Sequence, residues 1–269
     1  MRFLSVLLVR PIATDGGGAY TVTRENLGTR ASQVAGAALM LDYILNVAVA
    51  ISAGVGALVS AVPVLLPHML ALCLAVLALL TMINLRGVRS TGFAVLAPTY
   101  LFVACLFGVM SWGIFAGPEV PSGATGDAVH AASGAAPGTL GGWALAWLLL
   151  KAFANGCTAM TGVEAVSNGV PIFKEPSVVG ARRTLLAIVG ILVGLLAGVA
   201  YLAPRYGITA TPPGVEGYES VLSQLTSAIV GRGPMYYLTI ASVIAVLGLS
   251  ANTSFADFPR VCRLLARDR

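Results

Sequence analysis

The sequence predicts an all-α membrane protein of about six transmembrane helices, one of them broken near the middle of the bilayer. Three observations predict it. Hydrophobic residues make up 57% of the 269 and charged residues 10%, and the mean hydropathy of +0.88 exceeds that of a soluble domain. Apolar stretches recur at lengths that cross ~30 Å of hydrocarbon at ~1.5 Å per residue. The stretch from Trp143 to Pro176 is interrupted by Asn155-Gly156, Thr161-Gly162-Val163-Glu164 and Ser167-Asn168-Gly169, which sets a carboxylate beside readily unwound backbone. A carboxylate at a helix centre costs ~2.5–3.5 kcal/mol on insertion scales, so this feature demands a function.

Residues 1–33 read as a cytoplasmic, Gly-rich lead-in and residues 34–269 as the membrane domain. Phe3 to Val9 is too short to span and has no small-residue cleavage site after it, so it does not read as a signal peptide. Residues 11–33 lack a phosphate-binding glycine pattern after an apolar strand and read as a flexible joint. The spans follow at Val34 to Val62, Met69 to Leu85, Phe93 to Ala116, Trp143 to Phe173, Leu185 to Leu202 and Met235 to Phe255. In the first, Asp42 and Asn46 share one helical face, as do Ser52, Gly56 and Ser60. Small residues at that spacing, repeated by Gly190, Gly194 and Gly198 in the fifth span, predict close helix approach. The loop from Gly117 to Gly142, rich in Gly, Ala, Pro and Ser, carries no predicted chemistry. After Glu216 and Glu219, Val221, Leu222, Leu225, Ala228 and Ile229 recur at helical spacing and predict a short amphipathic helix.

Charge sets the orientation. Thirteen basic residues fall before the first span or in the loops and tail after the second, fourth and sixth. Only Arg205 and Arg232 occupy the alternate loops, and Lys151 lies inside a span with room to snorkel outward. This is the positive-inside pattern, with both termini cytoplasmic, and it makes nucleic-acid binding unnecessary to explain the net charge of +5. Fourteen arginines against two lysines, with abundant Ala, Val and Gly, fit a GC-rich bacterial genome and hence the bacterial cell membrane.

The candidate chemistry lies in the spans. Asp42 is twelve residues from Arg30 and Glu164 ten from Lys174, which puts both carboxylates ~15–18 Å from the cytoplasmic boundary. Carboxylate, amide and hydroxyl oxygens suit hard cations, so Asp42, Asn46, Thr161 and Glu164 are the candidate ligands of a metal cation, a proton or a substrate ammonium. Ser250, Asn252 and Thr253, next to Ser254, form a second polar cluster, read either as a further cation site or as hydroxyls bonded back to their own helix. Cys73, Cys105, Cys157 and Cys262 are widely separated, and His68 and His130 lie in different connecting regions, so no transition-metal site, resident cofactor or disulfide framework is expected. No Ser/His/Asp or Cys/His arrangement can be assembled, which argues against an enzyme.

Thr161 to Pro171, followed by Phe173-Lys174-Glu175-Pro176, resembles the broken sixth helix of the amino acid/polyamine/organocation (APC) superfamily. Gly16-Gly17-Gly18-Ala19-Tyr20 and Arg24-Glu25-Asn26-Leu27-Gly28 resemble its entry to the third helix, and Ala251 to Arg260 the end of its eighth. Within the superfamily the match is to potassium/proton symporters of the KimA type. The resemblance implies a LeuT-type bundle working by alternating access, with Asp42, Thr161 and Glu164 at cation-coordinating positions. Asn46 and Ala50 fall where KimA-like members tend to carry hydroxyls. The six spans match helices three to eight of about twelve, so the chain is expected to be incomplete, a partial bundle. Three functions are left open: potassium/proton symport, amino acid/proton symport, and an inactive or partner-dependent membrane fragment. The expected partners are the lipid bilayer and the transported potassium ion, proton or amino acid; no oligomer is assigned.

Overall fold

A computed structural model describes residues 18–86, 92–117, 142–157, 177–211 and 217–267, and every regular element among them is helical. This is the all-α architecture expected, and its cause is the solvent. A backbone crossing hydrocarbon must satisfy its N–H and C=O groups internally, which a helix does. In order these are α1 (Gly18–Leu27), α2 (Thr29–Ala61), a 3-10 turn (Pro63–His68), α3 (Met69–Leu85), α4 (Gly92–Ala116), α5 (Gly142–Cys157), α6 (Ser177–Arg205), α7 (Val221–Val230) and α8 (Pro234–Arg267). Five apolar helical stretches, formed by α2, the 3-10 turn with α3, α4, α6 and α8, are long enough to cross a membrane, and the chain is a multi-pass membrane protein.

Two expectations need correction. Residues 18–33 are not a flexible joint: α1 occupies Gly18–Leu27, and α2 already begins at Thr29, ahead of Val34. Burial decides this, because Tyr20 and Ser32 are 2% and 0% exposed and so anchor the polar stretch. Gly28, at φ +86°, makes the turn between the two helices in a left-handed conformation that costs a side-chain-bearing residue energy. Its N–H donates to the Arg24 carbonyl and its own carbonyl accepts from Ser32. The second correction concerns the fourth span: α5 runs through Asn155 and Gly156 to Cys157, so those two residues do not interrupt it. Thr161 to Gly169 lie outside the described residues.

The contacts divide the chain into two compact units. In one, formed by Met1–Leu41, Pro137–Gly194 and Arg260–Arg269, an added Cβ on Gly36 would meet the Leu265 side chain at 3.0 Å, a close helix approach. In the other, formed by Asp42–Ala136 and Leu195–Pro259, three apolar clusters make the core. Ala50, Ile51, Val55 and Val59 of α2 meet Ala251 of α8. Ala57 packs with Tyr236, Ile240 and Val243, and Met110 of α4 with Leu202 and Leu225. No residue of α3 is fully buried: Leu72, Cys73, Val76 and Leu80 pack partly against the α2 cluster, and the rest of its apolar surface suits contact with lipid or further membrane helices.

Small residues are used unevenly. An added Cβ on Gly198 would lie 2.6 Å from Met110 Sδ, so this glycine lets α6 approach α4, whereas Gly190 has nothing within 4 Å. Gly56 faces not a helix but the Tyr218 hydroxyl, 2.6 Å from where a Cβ would sit. Ser52 is exposed and bonds back to the Ala48 carbonyl.

Candidate functional site

Asp42 and Asn46 stand one turn apart on α2, in its membrane-crossing part, and both are half-buried. Residues four apart on a helix have neighbouring side chains, so a carboxylate and an amide are presented together. The Asp42 carboxylate makes no hydrogen bond or ion pair among the described residues. Asn46 is held firmly: its Nδ2 donates to Ser254 Oγ at 2.6 Å and lies 3.5 Å from Ser250 Oγ, both on α8. One turn beyond Asn46, Ala50 is 3% exposed in the core beside Ala251. A hydroxyl there would need a partner in a close-packed apolar setting.

The second polar cluster separates by direction. Ser250 and Ser254 face Asn46. Asn252 instead accepts from Asn84 Nδ2 of α3 at 2.8 Å, and the Thr253 hydroxyl bonds back to the Ser250 carbonyl at 2.8 Å. A helix turning ~100° per residue cannot aim Ser250, Asn252, Thr253 and Ser254 at one point. Ser254 also lines a cavity of about 450 Å³ between α2, α3 and α8, whose walls include Tyr43, Val47, Ile51, Cys73, Leu77, Phe255 and Phe258. Such apolar walls suit hydrocarbon rather than a bare ion.

Thr161 and Glu164 lie outside the described residues. Lys151 is exposed on α5. No group of three or more His, Cys, Asp or Glu side chains fit to hold a metal occurs among the described residues.

Sequence reasoning missed a second polar assembly where α2 ends and α8 begins. Ser60, 2% exposed, accepts the Ser220 N–H at 2.9 Å and donates to the Gly56 carbonyl. The Tyr236 and Ser223 hydroxyls, each 0% exposed, meet at 2.6 Å. Ser223 donates to Glu219 Oε1 at 2.8 Å, so Tyr236 is the donor to Ser223. The same Glu219 oxygen pairs with Arg232 at 2.9 Å, and Arg232 lies over the Tyr236 ring. Thr211 and Gln224 donate to the Glu219 carbonyl. The only local signal was Ser220, which caps α7 by accepting the Ser223 N–H. The long-range partners leave no periodicity to read. Beside this assembly, burial raises the Tyr218 hydroxyl above its ordinary value.

A family model described as amino acid permease matches residues 3–269. The potassium transporter KimA of Bacillus subtilis (strain 168) is 40% identical over 256 residues, which are 95% of this chain and 40% of that protein. The chain thus spans about two fifths of the length of this relative.

Proposed function

Because the chain belongs to the amino acid permease family, we propose that it carries the cation-handling part of a secondary transporter that moves potassium together with protons. The observation that carries this reading is the 40% identity to a potassium transporter along nearly all of the chain. The half-buried Asp42, with Asn46 on the same face, supports it, because a carboxylate inside a span needs a positively charged companion. Thr161 and Glu164 enter the proposed ligand set from the sequence alone. In this reading Asp42 and Asn46 replace part of the ion's hydration shell with fixed oxygens, and protonation of a carboxylate releases the ion. The distribution of basic residues supports a cell-membrane protein with both ends on the cytoplasmic side.

Uptake by liposomes containing the chain tests the proposal. The expected result is potassium uptake that depends on a proton gradient and is lost in both Asp42→Asn and Glu164→Gln. The family description favours a second reading, amino acid/proton symport. Amino acid uptake with unchanged potassium permeability would select it, and neither flux would leave a chain that transports nothing by itself.

A further inference from the structure

We propose that the cavity between α2, α3 and α8 is a binding groove for one acyl chain of a bilayer phospholipid, held open by polar contacts at its edges. The groove does not depend on the cation reading above. It lies at the depth of acyl chains: Leu77 on its wall is the middle residue of α3, a helix of the membrane-crossing set. The chemistry of the walls selects the occupant. No charged side chain lines the groove among the described residues. Its serine hydroxyls are already engaged, Ser52 with the Ala48 carbonyl at 2.7 Å and Ser254 with the Asn46 amide at 2.6 Å. No buried side-chain nitrogen or oxygen among the described residues lacks a partner. An ion or a file of water would find too few polar partners there, whereas an empty groove forfeits dispersion contact along three walls.

Size favours a lipid chain over protein. The groove follows α2 from Tyr43 to Ser52, a distance of about 14 Å. A helix with its side chains is ~10–12 Å across, so that length of helix needs more than ~1,000 Å³, and the groove holds about 450 Å³. A row of methylenes is far thinner. Ile44 and Leu74 on the rim are 54% and 57% exposed, which leaves a side through which a chain enters from the bilayer. Two bonds keep the walls apart. Ser254 of α8 is tied to Asn46 of α2, and Asn252 of α8 to Asn84 of α3 at 2.8 Å. Closing the groove would break amide contacts that hydrocarbon cannot replace. The small side chains of Ala48 and Ser52, one turn apart on α2, leave its floor open.

Photolabelling tests the proposal. The 269-residue chain is reconstituted in vesicles containing a trace of phosphatidylcholine with a diazirine near the end of one acyl chain, and after irradiation the labelled residues are mapped by mass spectrometry. Leu196 of α6, 54% exposed, is as open as Ile44 and reports ordinary contact with the bilayer. Leu77 and Phe255 are expected to take at least about fivefold more label than Leu196, a preference of ~1 kcal/mol. Ala48→Phe and, separately, Ser52→Leu fill the groove from exposed positions on α2 and should bring both residues down to the level of Leu196, itself unchanged. Because no charge lines the groove, phosphatidylglycerol carrying the same chain should label it equally, and a strong preference for either headgroup overturns recognition by the chain. Label at Leu77 and Phe255 that matches Leu196 in the native chain, or that ignores both filling variants, overturns the proposal by showing only bulk lipid. An unlabelled groove beside a labelled Leu196 overturns it as well, and assigns the groove to protein, either a second copy or a further segment.

Discussion

Replacing Glu219 by Ala is expected to destabilise the unit formed by Asp42–Ala136 and Leu195–Pro259 far more than replacing Arg232, although the two residues form an ion pair. Glu219 Oε1 accepts two bonds, from Ser223 Oγ at 2.8 Å and from Arg232 Nη2 at 2.9 Å. The Arg232 side chain is 44% exposed and that of Glu219 26%, so their pairing is largely solvent-screened and worth about 0–1 kcal/mol. Ser223 is different. It is 0% exposed, is bonded to the equally buried Tyr236, and has its hydrogen directed at a charged oxygen. Such a charge-assisted bond contributes about 1.5–3 kcal/mol, and its loss leaves a buried hydroxyl without an acceptor. Glu219→Ala should therefore cost about 2–3 kcal/mol and Arg232→Ala at most about 1 kcal/mol. Glu219→Gln keeps an acceptor without the charge and should fall between. Since Glu219→Ala and Ser223→Ala delete the same bond, a double-mutant cycle should return a coupling of about 1–2 kcal/mol. The assay is equilibrium unfolding of the detergent-solubilised chain by added dodecyl sulfate, followed by circular dichroism. A cost for Arg232→Ala equal to that of Glu219→Ala, or no coupling between Glu219 and Ser223, would refute the reasoning.

In the same unfolding assay Gly198→Val should cost about 1–3 kcal/mol, because its Cβ would press on Met110 Sδ. Gly190→Ala, whose Cβ meets nothing within 4 Å, should be neutral or stabilise by up to about 1 kcal/mol through helix propensity alone. Tyr218 should ionise above its ordinary value of 10.0, since burial disfavours the phenolate. Because the unfolded chain loses that proton first, its contribution to stability is complete below about pH 10 and declines as pH rises further. An ultraviolet difference titration against Tyr218→Phe checks this, and Gly56→Ala, whose Cβ would displace the Tyr218 hydroxyl, should return the transition toward the ordinary value.

Much of the fold was legible in advance because a membrane makes each span a local problem. An apolar run that must satisfy its own backbone in hydrocarbon becomes a helix whatever surrounds it, so α3 begins at Met69 and ends at Leu85 as expected. The helix over Val221–Val230 followed from its 3.6-residue periodicity. The reading failed where polarity was taken for flexibility. Gly18–Leu27 is helical because Tyr20 is buried, and no local pattern announces the neighbours that bury it.

From the sequence alone come the helices, their approximate ends, the membrane setting, and the presence of acidic and amide oxygens in the spans, since each depends on residues within a few turns of one another. Only the tertiary structure decided what those groups face. The pairing of Asn46 with Ser254, the separation of Ser250 from Asn252, and the assembly of Ser60, Glu219, Ser223 and Tyr236 join residues far apart in the chain. Periodicity records which face of a helix a residue occupies, but a hydrogen bond lasts over only about 3 Å. Its partner is therefore chosen by how helices pack and not by either helix alone.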